Sequence, residues 1–223
     1  MSSHRAYRSR RTFDALPSVG YNAPRMLGFS RSFTTWADAV TGEVPTYMDG
    51  ERKNIPASSG AEVVEFPKPL GRVRVFHCGH PEPMTIPRTI QAKTVTLKGA
   101  LTPDWNNKLV DVFNALKLID TPRKIDRVAK VIHSIEGLFR MGGIAFSGAR
   151  VDVIGMKDGV QKRISYTTVD KMGRPTGIPA AIGAVMLAQG GMPAGVFAPE
   201  GCLEPGPFFA ELAKRDIKVE RFS

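Results

Sequence analysis

Two Asp-Gly pairs, each set between alternating runs, constrain this 223-residue chain more than any other feature. Asp49-Gly50 separates Val44–Met48 from Glu51–Ile55, and Asp158-Gly159 follows Lys157 between Arg150–Gly155 and Val160–Val169. An Asp-Gly pair accepts the positive φ that a tight hairpin turn demands, so each site predicts two adjacent antiparallel strands. The second hairpin is expected to be long. Val63–Phe66, Gly71–Cys78 and Thr94–Lys98 read as further strands, with Val73 and Val75 on the buried face of the second and Gly99 breaking the third.

Helical periodicity appears elsewhere. Thr34–Val40 predicts a short helix carrying Trp36. Asp104 is a natural cap, and Leu109, Val112, Phe113 and Leu116 repeat at helical spacing over Trp105–Leu118, a stripe expected to face the core. Thr121-Pro122 opens another helix with Ile125, Val128, Ala129, Ile132, Ile135, Leu138 and Phe139 on its apolar face, and Arg123, Lys124, Arg127 and Lys130 on a solvated one. Residues 12–33 read as loop, because Pro17, Gly20, Asn22, Pro24 and Gly28 interrupt any period. Two hairpins with paired helices predict an α+β fold: a mixed, largely antiparallel sheet with helices on one face and the other face available for dimerisation.

Charge narrows the function classes. The formal net charge is +10, and Arg5, Arg8, Arg10 and Arg11 supply four of those charges before the first acid, Asp14. Residues 1–15 read as a disordered basic tail; a nucleic-acid arm and an organelle transit peptide are the other readings. The remaining excess suits steering of an acidic, dicarboxylate-type substrate. No apolar run is long enough to span a membrane, and no secretory segment is evident near the start, so a cytoplasmic setting is expected. Two cysteines make no disulfide framework, and no Cys/His cluster has zinc spacing. Neither Gly-x-Gly-x-x-Gly after a strand nor a Walker-type loop occurs.

Two stretches carry candidate chemistry. Cys78-Gly-His-Pro-Glu-Pro-Met-Thr-Ile-Pro-Arg88 holds three prolines in eleven residues and predicts a stiff, exposed loop at a strand end. His80, Glu82 and Arg88 would stand there at a cleft. His80 and Glu82 can bind or protonate a substrate amine or carboxylate; alternatively His80 caps the turn and Glu82 pairs with Arg88. Cys78 with His80 also reads as a thiol and its base, though no third orienting group is evident. The second stretch starts at Thr176. Thr176 can cap a helix whose first turn holds Pro179, with Gly177 beside it, and the free N–H groups there suit a carboxylate or phosphate. Ile178, Ile182, Val185 and Met186 share one face, Gly190 and Gly191 end the helix, and Ile217–Val219 reads as a final strand.

Several of these segments resemble the saccharopine dehydrogenase-like oxidoreductases. The likeness lies in the Gly-His-Pro-Glu-Pro-x-Thr-x-Pro-Arg loop (79–88), in Thr176–Ile182, and in Gly195-Val196, Pro199-Glu200, Pro205–Phe208 and Leu212. Ser30 and Ser32 also match a Phe-Ser-Trp-Ser segment that helps close over substrate, but Arg31 stands where that family often has Trp, a cation that can grip a carboxylate. The resemblance implies a substrate-binding and dimerisation domain (16–175) and a carboxyl-terminal helix-turn-helix-strand segment (176–223) that packs towards a nucleotide domain. It implies NAD(P)-linked reduction of an imine formed between an amino acid and a 2-oxo acid, or the reverse. Ser30, Arg31, His80, Glu82, Arg88, Thr176 and Gly177 would hold substrate. NAD or NADP would come from a separate Rossmann domain, a homodimer would form, and the chain alone would be inactive. Two other classes remain at this point: a non-catalytic binding or scaffold protein with a basic tail, and a Cys/His enzyme.

Overall fold

A computed structural model describes residues 13–22, 36–102, 104–135, 146–190, 192 and 194–222. Its ten strands form a mixed, largely antiparallel sheet, so the molecule is α+β. The centre is β1 (Phe13–Asn22). Its first residues pair in parallel with β6 (Ala92–Val95) and its last with β7 (Lys98–Thr102), while β8 (Phe146–Lys157) runs antiparallel along its other side. One arm therefore continues from β6 to β2 (Glu43–Met48) and β3 (Glu51–Pro56). Another runs from β7 to β5 (Arg72–His77) and β4 (Glu62–Glu65). Beyond β8 lie β9 (Val160–Lys171) and β10 (Glu220–Phe222).

Both Asp-Gly hairpins form as expected. Asp49 and Gly50 have φ of 56° and 85°, and Asp158 and Gly159 have 56° and 76°. Three sequence expectations fail in the sheet. The region read as loop and tail contains β1, because extended pairing on both sides tolerates the proline and glycines that break a helical period. Gly99 does not end a strand; it lies inside β7, opposite Val19 on one side and Phe76 on the other. The last strand begins at Glu220, leaving Ile217 buried before it.

The helices are α1 (36–39), α2 (Glu82–Thr89), α3 (Trp105–Ala115), α4 (Pro122–Ile135), α5 (Arg174–Ala188), α6 (Pro199–Cys202) and α7 (Pro205–Ala213). Trp36, Val40, Val110, Ile125 and Ala129 pack with Val64, Phe66, Val73, Val75 and Phe76 into the main core. Leu138 and Phe139, expected on the α4 face, lie outside the described residues.

Helix α3 is turned partly from its expected orientation: Phe113 packs against the main core as expected, but the rest of the stripe does not. Leu109, Val112 and Leu116 are exposed, whereas Asn107 and Val110 are buried. Asn107 explains the choice, since its amide oxygen accepts from Leu101 N–H at 2.9 Å and its nitrogen donates to Leu101 O at 2.7 Å. A side chain that completes both polar groups of a strand residue holds that face inward. Asn114 does likewise, donating to Val40 O at 3.3 Å. Asp104 stands at the cap position with helical backbone, but accepts from Asn107 Nδ2 rather than from a backbone N–H.

The β8–β9 ribbon shows a second inversion. Directly opposed residues share a face, so Arg150 and Asp152 lie with Thr167 and Ser165, while Val151 and Val153 lie with Tyr166 and Ile164. The charged set is buried and the apolar set faces out: Asp152 is 2% exposed, Tyr166 46%. The inner face is covered by the β4–β5 arm. Arg150 Nη1 donates to Glu65 O at 2.6 Å, and a Cβ on Gly148 would meet Leu70 Cδ1 at 2.6 Å.

Candidate functional site

The Cys78–Arg88 segment is a bend followed by a helix, not a loop. Pro81 occupies the N-cap and Pro83 the first turn of α2, where a missing N–H breaks no helical bond. Two of the three prolines that argued for a stiff loop thus open a helix, and the third, Pro87, lies inside it. Gly79 is pinned before them, its N–H donating to Ala39 O at 2.6 Å. His80 is therefore held between a tethered glycine and a proline of fixed φ.

Helix geometry also decides the ion pairing. Six residues apart on α2, Glu82 and Arg88 project from different sides, so the expected Glu82–Arg88 pair does not form. Glu82 Oε2 instead faces His80 Nδ1 at 3.7 Å. That oxygen is enclosed and has no hydrogen-bond partner among the described residues. Arg88 is exposed in the last turn.

Cys78 lies past the end of β5 and is 2% exposed. Burial first, and the Glu82 charge second, push its thiol up to about 12. A thiol of that kind stays protonated near neutrality, which removes it as a nucleophile. The geometry thus leaves no thiolate for the Cys/His enzyme reading. The nearby His77 ring is shifted towards its neutral form by burial and then by the Lys98 charge, despite its hydrogen bond to the Leu97 backbone and the Glu62 charge.

At the carboxyl end the helix begins earlier than expected. Gly173 is the N-cap with φ of 94°, and Pro175 stands in the first turn of α5. Thr176 is therefore not the cap, and Gly177 N–H already donates to Gly173 O at 2.8 Å. The free N–H groups lie one turn upstream of the position expected for an anion. Thr176 and Gly177 are exposed, and no hydrogen bond or ion pair among the described residues joins them to His80, Glu82 or Arg88. Ser30 and Arg31 lie outside the described residues.

The structure nevertheless brings the two candidate stretches together through α6. A Cβ on Gly201 would stand 3.2 Å from Thr89 Cγ2, so α6 rests on the end of α2. Leu203, just beyond, comes within 3.7 Å of the Cβ position of Gly183 in the middle of α5. A separate cleft of about 490 Å³ lies between α5 and α7, lined by Ile182, Val185, Met186, Pro207, Lys214 and Arg215. None of the residues expected to hold substrate lines it.

One polar group was not singled out from sequence. Asp152 accepts from Arg150 Nε at 3.2 Å, from Arg163 Nε at 3.2 Å and from the Ser165 hydroxyl. The Arg150 guanidinium also lies 4.7 Å from the Phe222 ring centroid. Burial alone would raise the Asp152 carboxyl; the hydrogen bonds from Arg163, Ser165 and Arg150 outweigh it and hold the group below the usual carboxylate range. The available signal was charged residues alternating with Val151 and Val153 in a strand, a pattern that also describes a solvated face.

Among the described residues, no group of His, Cys, Asp and Glu is placed to hold a metal ion, and no helix is long and apolar enough to cross a membrane. The fold and site define an α+β protein with a rigid histidine–carboxylate pair at a strand-to-helix junction. The chain matches no protein-family model and no curated protein.

Proposed function

We propose that this chain is the substrate-binding and dimerisation part of a saccharopine dehydrogenase-like NAD(P)-dependent oxidoreductase. It acts on the C–N bond of an imine or secondary amine derived from an amino acid, in the cytoplasm. The reading starts from the motifs at 79–88 and 176–212. The observation that carries it is α5. From Pro175 to Ala188 this helix has no charged residue, yet only Ile182 is buried; Val185 and Leu187 stand in solvent, and Val196, Phe197 and Phe209 further along the chain are exposed too. A helix apolar all round belongs inside an assembly. A separate nucleotide-binding domain, bringing NAD or NADP, is the partner that suits it. The outer face of β8–β9, with Val151, Ile164 and Tyr166 exposed, is the surface for a homodimer.

His80 and Glu82 hold the acidic substrate at the start of α2, and Arg88, in its last turn, adds positive charge at the other end. The chain by itself should show no reduction of a 2-oxo acid and amino acid mixture with NADH or NADPH, followed by nicotinamide absorbance. Robust turnover by the isolated chain overturns the reading. So does failure of every added NAD(P)-binding domain encoded beside it to produce turnover.

A further inference from the structure

The enclosed oxygen of Glu82 is the unexplained feature of α2. A carboxylate oxygen shut away from water without a donor is costly, and such groups are rare in folded proteins. Its other oxygen lies on the open side, because the Glu82 side chain is 42% exposed. Among the described residues no Lys or Arg forms an ion pair with Glu82, and its one ion-pair partner is His80 Nδ1. The imidazole itself is 34% exposed, tethered through Gly79 on one side and Pro81 on the other.

We infer that His80 is the proton-transferring residue of the substrate site and that Glu82 is its positioning residue. The inference rests on the reading of this site as one for an amino-acid-derived imine or secondary amine. Once the 3.7 Å separation shortens to a hydrogen bond, Glu82 takes the Nδ1–H, which leaves Nε2 as the atom that meets substrate. In the reductive direction the imidazolium gives its Nε2 proton to the imine nitrogen. The N–H bonding pair stays on the ring as the Nε2 lone pair, and the substrate becomes an iminium. In the reverse direction neutral Nε2 takes that proton back. The hydride belongs to the nicotinamide and not to this residue. A carboxylate on Nδ1 fixes the tautomer and the ring orientation, the arrangement by which histidine bases are commonly readied.

The test needs no turnover. Nitrogen chemical shifts of His80 are measured in the full chain, with and without iminodiacetate, a secondary amine carrying two carboxylates. The expected result, at a pH high enough to leave the ring unprotonated, is the Nδ1–H form, with Nε2 shifting on addition of iminodiacetate. Glu82→Ala should convert it to the Nε2–H form and weaken iminodiacetate at least tenfold, and Glu82→Asp should restore most of both. A wild-type His80 in the Nε2–H form, or a tautomer indifferent to Glu82→Ala, overturns the pairing whatever the site binds. An Nδ1–H form whose Nε2 ignores iminodiacetate, with binding unchanged in His80→Asn, overturns the substrate-site reading and the proton role with it. Circular dichroism of each variant separates these outcomes from loss of fold.

Discussion

The main layer and the carboxyl-terminal segment are built to different standards of closure. Fifteen described residues from three helices and several strands bury one another in the main core. In the segment from α5 onward only Ile182, Leu212 and Ile217 are buried, helped by Ile178, Met186 and Phe208. Apolar content does not explain the difference, since α5 is among the least polar stretches of the chain. What differs is the number of elements that converge. The main core is enclosed by sheet, α1, α3 and α4, whereas α5 meets α7 and the end of β9 and little else. Under the proposed function, that exposed apolar surface is what the partner domain covers.

The comparison can be broken by mutation, beginning where the effect should be greatest. Phe76→Ala opens a cavity among Trp36, Val75 and their neighbours and should cost about 4 kcal/mol in urea unfolding. Loss of less than about 1 kcal/mol would mean that the main core is not as closed as described.

Asp152→Asn leaves Arg150 buried without its counter-charge and should cost about 3 kcal/mol. The pH dependence has a defined sign. The folded carboxyl is held below its ordinary value, so its contribution is complete above about pH 4 and is lost as pH falls through the lowered folded value. The wild type should lose stability over that acidic range more steeply than Asp152→Asn. Parallel melting curves for the two would show that Asp152 is not held by these partners.

Leu212→Ala should cost about 2 kcal/mol within the carboxyl-terminal segment. Hydrogen exchange should quicken in α5 and α7 while β5 and β7 keep their protection. Equal loss of protection in both regions would make them one cooperative unit and end the contrast. Smallest in stability is Tyr166→Asp, on the exposed face of β9. It should change unfolding by less than about 0.5 kcal/mol and convert a dimer to monomer in sedimentation. A monomeric wild type, or a dimer that survives the change, removes this face as the contact.

Features that depend on neighbours in sequence were the legible ones. The Asp49-Gly50 and Asp158-Gly159 turns, the alternation of Val73 and Val75, and the start of α4 at Pro122 follow from local stereochemistry, and each stands in the structure. The candidate site was half legible. His80 and Glu82 do lie together, but the three prolines concealed a helix, and Glu82 chose His80 over Arg88. Thr176 and Gly177, expected at the start of the helix, lie inside the first turn of α5, because Pro175 and the positive φ of Gly173 start the helix earlier.

Sequence alone determined the class of fold, the two hairpins and the position of most elements, because turn chemistry and side-chain period act over a few residues. Which face of each element turns inward was decided only by tertiary structure. Asn107 pulled most of the apolar stripe of α3 outward by completing Leu101, and Arg150 drew the charged face of β8 under the β4–β5 arm by reaching Glu65 O. Both bonds join groups that only the folded chain brings within reach. A buried polar group must find its partner wherever that partner lies, and that requirement outweighed the hydrophobic pattern at both places.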